Sequence, residues 1–173
     1  MYRLKRDPKQ LFARDTHPEL PIDPDVVQPG VYKWPPHFTP TFLTLVFLGG
    51  CFGAAARYWV SLQLPTPESG LPVATLFVNL LGAFLLGLLL EGLVRLGSDD
   101  GIRRTARLSL GTGFMGAFTT YSTFVVEAYL LLHHGQSAVA LMYMTLTVVG
   151  GVVVSSLGIQ VAAIHHKKRE SQQ

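Results

Sequence analysis

Cysteine and charge are both scarce in this sequence. The chain has 173 residues and one cysteine, Cys51, so no internal disulfide can form and cysteine usage does not indicate the redox compartment. Charged residues make up 14% of the chain, whereas about a quarter is usual in soluble domains. Hydrophobic residues make up 49%. This balance favours segments embedded in a membrane.

Recognisable catalytic patterns are also absent. The sequence has no metal-ligand cluster and no catalytic dyad. Its one nucleotide-like pattern, Gly111-x-Gly113-x-x-Gly116, lies inside an apolar segment without the βαβ context and the acidic residue that a dinucleotide fingerprint requires. We therefore expect no enzyme activity, no organic cofactor and no nucleic-acid partner.

Long apolar segments dominate the rest of the chain. A membrane-spanning helix needs about 20 apolar residues. Four segments qualify, at about 41–63, 71–96, 105–132 and 137–164. Because the connections are short, the sequence predicts an all-α membrane protein whose four transmembrane helices form one bundle.

The two ends of the chain differ from this bundle. Eight of the eleven prolines lie in residues 1–40, a density that favours an extended, flexible tail. The first apolar run begins only at Thr41, so we expect no cleavable signal peptide. The predicted organisation is a proline-rich tail at 1–40, a four-span domain at 41–164 and a basic tail at 165–173.

The third span carries the most informative residues. Between Gly111 and Phe124 it combines glycines, threonine and serine hydroxyls and aromatic rings. Helix-breaking sequence at membrane depth is tolerated only against protein or a wet cavity, and polar residues there mark ion or substrate paths. We predict an interruption near Gly113–Thr120, with carbonyls suited to a small cation and amides suited to an anion.

The aromatic residues after this interruption admit two interpretations. Tyr121 and Phe124 are three residues apart, so their rings share a helix face. Ring edges carry partial positive charge and can face an anion. Ordinary helix packing explains the same spacing.

Polar residues in the other spans admit two interpretations as well. Asn79 shares a face with Thr75 and provides either an interhelical hydrogen bond or a donor to a pore. Arg57 and Glu127 lie near span ends, where they either snorkel or hold a functional charge. Glu91 and Arg95 have the spacing of a helical ion pair.

The fourth span carries hydroxyls along one face. Tyr143 and Thr147 are four residues apart and form either a polar track or bonds to their own helix. The next position on that face is Gly151, which has no hydroxyl.

Three motifs occur in a fixed order along the chain. They are Gly-Cys-Phe-Gly-Ala-Ala-Ala-Arg-Tyr at 50–58, Ala-Thr-Leu-Phe-Val-Asn-Leu-Leu-Gly-Ala-Phe at 74–84 and Gly-Phe-Met-Gly-Ala-Phe-Thr-Thr-Tyr-Ser-Thr-Phe at 113–124. With them, residues 41–160 resemble the CrcB/Fluc family of fluoride channels. The resemblance implies a four-helix subunit with a broken third helix, paired into a dual-topology antiparallel dimer in the plasma (inner) membrane. The implied function is passive fluoride export that lowers cytoplasmic fluoride toxicity.

The resemblance also implies roles for individual residues. The resemblance assigns Asn79, Tyr121, Phe124, Tyr143 and Thr147 to the fluoride pore and Glu127 to a vestibule. To these we add the neighbouring hydroxyls of Thr120 and Ser122 in the predicted pore and Arg57 in the predicted vestibule. Backbone carbonyls of Gly116 and Thr119 match positions that hold a structural sodium ion at the dimer interface. Tyr121 departs from the family's usual phenylalanine, and Gly151 departs from its polar track.

Basic residues are distributed unevenly between the two sides of the bundle. With four spans, both tails share a side with the loop at 97–104, and that side holds thirteen of the fourteen basic residues. The thirteen are Arg3, Lys5, Arg6, Lys9, Arg14, Lys33, Arg95, Arg103, Arg104, Arg107, Lys167, Lys168 and Arg169. Basic residues near span ends favour the cytoplasmic side. The partner subunit is therefore either an oppositely oriented paralogue or a second copy re-oriented during assembly.

Two other functions fit four spans. A small proton-coupled multidrug exporter needs a carboxylate deep in the first span, and residues 41–63 contain none. A membrane scaffold protein does not need a broken, hydroxyl-rich third span. The sequence therefore favours the fluoride channel.

Overall fold

The computed structural model describes residues 39–65 and 70–170, without the side chains of 168–170. The elements in these residues are all helices. They are α1 (Pro40–Gln63), α2 (Val73–Arg95), α3 (Gly101–Ala106), a π-helix (Arg107–Met115), α4 (Gly116–Phe118), α5 (Ser122–His133) and α6 (Ser137–Glu170). The predicted tail lies, up to residue 38, outside the described residues, as does the loop at 66–69.

Three of the four predicted spans are single helices, and the remaining one is interrupted. Among the described residues, α1, α2 and α6 are each long and apolar enough to cross a membrane unbroken. The predicted third span corresponds to the series from α3 to α5, which changes helix type and then breaks. The prediction of an all-α, multi-pass membrane protein with a broken third helix is confirmed.

The helices α2 and α6 form the most extensive contact in the bundle. Glycines permit it: a Cβ atom on Gly87 would collide with the carbonyl oxygen of Ser155, and one on Gly158 with that of Phe84. In a membrane, where helices gain no hydrophobic effect from pairing, such close backbone approach supplies much of the attraction. This contact places the α2 residues around Asn79 beside α6.

The helix α1 packs against the π-helix through a second set of glycines. A Cβ atom on Gly113 would lie 2.7 Å from the carbonyl oxygen of Val46. Gly113 thus lies within a helix, and its lack of a side chain permits close packing against α1. The sequence had instead predicted that the interruption starts at this glycine. The observed break begins later than predicted, after Phe118.

Two small buried clusters lie on either side of the break. One contains Val60, Val78 and Phe118, which joins the end of α4 to α1 and α2. The other is built around Tyr143, which is fully buried, and includes residues of α5 such as Leu131. The break is therefore held between two packed regions.

Candidate functional site

The break in the third span is a short extended segment between α4 and α5. Thr119 has φ −80° and ψ 161°, which is extended backbone. The side chain of Asn79 holds the next residue, Thr120: its Nδ2 donates to the Thr120 carbonyl oxygen at 3.0 Å, and the Thr120 N–H donates to its Oδ1 at 2.8 Å. Asn79 therefore replaces the helical partners that Thr120 has lost.

This clamp changes the hydrogen bonding of two carbonyl groups. In an uninterrupted α-helix, Gly116 O would accept from the N–H of Thr120, and Thr119 O from the N–H of Thr123. The first of these donors binds Asn79 Oδ1, and the second binds Thr120 Oγ1 at 3.2 Å. Both carbonyls have thus lost their α-helical donor. Gly116 is exposed, with nothing within 4 Å of its absent Cβ position.

The Thr120 hydroxyl caps the start of α5 by accepting from the Thr123 N–H, and it also joins a cluster of hydroxyls. The Thr120 Oγ1 atom donates to Thr123 Oγ1 at 3.0 Å and lies 3.4 Å from Ser122 Oγ. The early N–H groups of a helix lack intrahelical partners and carry partial positive charge. Hydroxyls and helix amides therefore concentrate hydrogen-bond donors at this break.

Three aromatic rings form a row beside the break. The ring centroids of Tyr121 and Phe124 are 6.2 Å apart with an interplanar angle of 44°. Phe124 is also 5.2 Å from the Tyr143 ring at 52°. Tyr121 is 79% exposed in the single chain. The predicted pair shares a face as expected, and the contact of Phe124 with α6 adds a third ring.

The carboxylate of Glu127 is held by two hydroxyl groups. Thr75 Oγ1 donates to its Oε1 at 3.0 Å, and the Tyr143 hydroxyl donates to its Oε2 at 2.8 Å. Glu127 thus lies within a three-helix network. Sequence reasoning missed Thr75 as a site residue; its position one turn before Asn79 was the available signal.

A cavity of about 300 Å³ connects these groups to the end of α1. Its polar lining includes Arg57, Thr75, Thr120, Thr123 and Glu127. Among the described residues, Arg57 makes no ion pair or hydrogen bond. The cavity thus places one cationic side chain opposite the hydroxyl-rich break.

The remaining predicted pore residue lies apart from this network. The Thr147 hydroxyl donates to the Tyr143 carbonyl oxygen at 2.8 Å, within its own helix. Tyr143 and Thr147 share a helix face, but in the single chain both hydroxyl protons are already engaged.

The fold and this site define a multi-pass membrane protein with an interrupted, polar third span. A family model described as "CrcB-like protein, Camphor Resistance (CrcB)" matches residues 44–159. The chain belongs to this family.

Named relatives cover most of the chain. The fluoride-specific ion channel FluC 1 of Cutibacterium acnes is 41% identical over 132 residues, which are 76% of this chain and 92% of the relative. FluC 2 of Leifsonia xyli subsp. xyli is 39% identical, covering 76% and 90%. FluC of Chlorobium phaeobacteroides is also 39% identical, covering 70% and 93%.

Proposed function

We propose that this protein is a fluoride-selective channel that exports fluoride passively across the plasma membrane. The observation that carries the proposal is the break at Thr119–Tyr121, which is clamped by Asn79 and flanked by hydroxyls and aromatic rings. Membership of the CrcB family and relatives named as fluoride-specific channels support the same function.

The chemistry of the break suits a small, strongly hydrated anion. Removing water from fluoride is costly unless donors replace it. Threonine and serine hydroxyls and the first amides of α5 are such donors. The edges of Tyr121 and Phe124 add weak positive charge, which completes a shell without trapping the ion.

Arg57 and the cavity suit entry of the anion. A fixed cation beside an aqueous cavity raises the local anion concentration. We propose that Arg57 attracts fluoride and that the Thr123 hydroxyl receives it, because this hydroxyl accepts from Thr120 and keeps its own proton for the ion. Glu127 repels anions, and its two hydroxyl partners spread its negative charge. In this proposal Glu127 borders the path and orients the Tyr143 hydroxyl.

A second subunit is part of the proposal. In a single chain, Gly116, Tyr121 and Ser122 are exposed at the broken span. Broken backbone cannot face lipid, because lipid offers no hydrogen-bond partner. We propose that another subunit covers this face in antiparallel orientation. It is either a second copy or an oppositely oriented paralogue.

A structural sodium ion fits the same face. The carbonyls of Gly116 and Thr119 have lost their α-helical donors, and unwound backbone carbonyls are ligands that sodium accepts. We propose that these two carbonyls, with their equivalents from the partner, would hold one sodium ion between subunits. The ion would neutralise the carbonyl dipoles and help to fix the break.

Ion efflux from liposomes tests the proposed function. Purified protein in vesicles loaded with potassium fluoride or potassium chloride is expected to release fluoride, but not chloride, when a potassium ionophore is added. Equal release of both ions would contradict selectivity. Release that requires a proton gradient would indicate a coupled exporter, and no release from a verified dimer would indicate a scaffold.

A further inference from the structure

The backbone immediately before the break is a π-helix. It extends over nine residues, Arg107–Met115, and at its end the Gly116 N–H is shared among carbonyl oxygens that include that of Gly111, five residues earlier. Long π-helices are rare, and short ones occur often at functional sites. Because a π-helix closes its hydrogen bonds one residue later than an α-helix, the chain advances less along the axis with each residue. The winding therefore sets the depth and rotation of the break that follows.

Backbone contacts with α1 hold the middle of the π-helix. A Cβ atom on Gly49 would collide with the Ser109 carbonyl oxygen, and one on Gly53 with the Phe114 carbonyl oxygen. Both oxygens belong to the π-helix. Rewinding to an α-helix would turn these carbonyls away from the two glycines and remove the fit.

An ion pair holds the start of the π-helix. Its first residue, Arg107, donates from Nε and Nη2 to Asp99 Oδ2, at 3.0 and 2.6 Å. Arg104, one turn earlier, donates to the Asp99 carbonyl oxygen at 3.1 Å. Beyond the far end, Asn79 holds Thr120. The segment is thus fixed at its start, along its middle and just past its end.

We propose that the π-helix is a spacer that sets the position of the break, and that Gly49 and Gly53 are positioning residues for the ion path. They act through the backbone of the π-helix and touch no ion. In α-helical winding, the Thr120 backbone would leave its register with the Asn79 side chain, and the break would move with it. The expected effect on ion flux rests on the proposed channel function, whereas the placement of the break by the π-helix does not.

A glycine pair offers a matched test of the spacer. Gly53→Ala inserts a methyl group against the Phe114 carbonyl oxygen, whereas Gly111→Ala, within the π-helix itself, meets only Leu89 and Leu86 side chains at 3.7 and 3.8 Å. Gly53→Ala is expected to slow fluoride release per active vesicle by about tenfold or more, since small misplacements cost large factors. It is also expected to lower the fluoride-to-chloride ratio. Gly111→Ala should release fluoride at close to the wild-type rate and with wild-type selectivity over chloride.

Two readouts separate positioning from folding. A folding defect lowers the fraction of active vesicles and leaves the rate and selectivity of each channel unchanged. That outcome, or wild-type behaviour of Gly53→Ala, would overturn the proposal.

A distance measurement tests the geometry without ion flux. Spin labels on Cys51 of α1 and on Val126→Cys of α5, in chains diluted with unlabelled protein, report the position of α5 relative to α1. Both residues are exposed. The distance should shift in Gly53→Ala and not in Gly111→Ala; an unchanged distance would overturn the spacer. Absence of flux in the wild type would contradict only the proposed function.

Discussion

At the scale of single residues, the site consists of polar groups that hold one another. The side-chain amide of Asn79 donates one hydrogen bond to the Thr120 backbone and accepts another from it. The Glu127 carboxylate accepts from the hydroxyls of Thr75 and Tyr143. Polar groups removed from water are costly unless they are paired. These pairs therefore explain how a broken helix and a carboxylate persist within the span, and they make each partner sensitive to substitution.

Replacing Phe124 by isoleucine tests the contribution of its ring edge. The change keeps bulk but removes the polarised ring, so fluoride release should fall by about tenfold or more. Efflux from liposomes with a verified dimer measures the effect. Phe47→Ile makes the same chemical change at a site 68% exposed on α1, and it should retain wild-type flux. Equal flux in both variants would place the pore elsewhere.

Replacing Asn79 by aspartate tests the clamp. The carboxylate loses the Nδ2 donor and faces the Thr120 carbonyl oxygen, and it places a negative charge beside the proposed anion path. We expect flux to be lost and the free energy of unfolding to fall by about 1–3 kcal/mol. Flux assays and denaturation in detergent measure the two effects. Gln160→Glu, at an exposed position of α6, makes a comparable charge change; a similar loss there would show a general charge effect.

At the scale of helices, glycines decide which pairs approach closely. One set joins α2 to α6, and the other joins α1 to the π-helix. Because a methyl group at these positions meets backbone rather than a flexible side chain, the helices must separate to admit it. Helix spacing and the position of the break are therefore linked.

Gly158→Ala tests the contact between α2 and α6. Its methyl group would meet the backbone of Phe84 and Leu88, so stability should fall by about 1–3 kcal/mol, the usual cost of overpacking. Gly92→Ala, also in a span, has nothing within 4 Å of the new methyl group and should not lose stability. Thermal unfolding in detergent compares the two variants, and equal midpoints would contradict the close contact.

At the scale of the whole molecule, charge and exposure lead to different expectations. Thirteen of the fourteen basic residues share a side with the tails, which favours a single, tails-inside orientation. The exposed broken span around Gly116 and Tyr121 instead favours a covering partner subunit, which we propose to be antiparallel. A partner chain with the opposite charge balance allows this chain to keep its tails inside and also covers the exposed face. Re-orientation of a second copy during assembly covers the face but places that copy against its charge bias.

A pair of C-terminal reporters separates these two assemblies. One reporter is active only in the cytoplasm and the other only outside. Cytoplasmic signal alone, with flux that requires an added paralogue, is expected for the paralogue assembly. Comparable signal from both reporters, with flux from the protein alone, would contradict it and support a homodimer.

The sequence by itself determined the class of the protein. Long apolar runs have few alternatives to spanning a membrane, and those around α1, α2 and α6 predicted the helices to within a few residues at most ends. The third span was recognisable because glycines and hydroxyls at membrane depth expose polar groups that lipid cannot satisfy, so that they usually mark a functional site. Motif residues that coincide in order, such as those around Asn79 and Thr120, were enough to indicate the family.

The tertiary structure decided how these residues combine. Whether Asn79 donates to a pore or to another helix depends on what lies opposite it, and only the fold places the Thr120 backbone there. The break began later than glycine content suggested, because Gly113 serves contact with α1 rather than flexibility. The π-helix had no sequence signal, since its winding is fixed by neighbours distant in the chain. Apolar runs in the sequence show which segments can lie in a membrane. Hydrogen-bond partners on different helices, by contrast, meet only once the helices have packed.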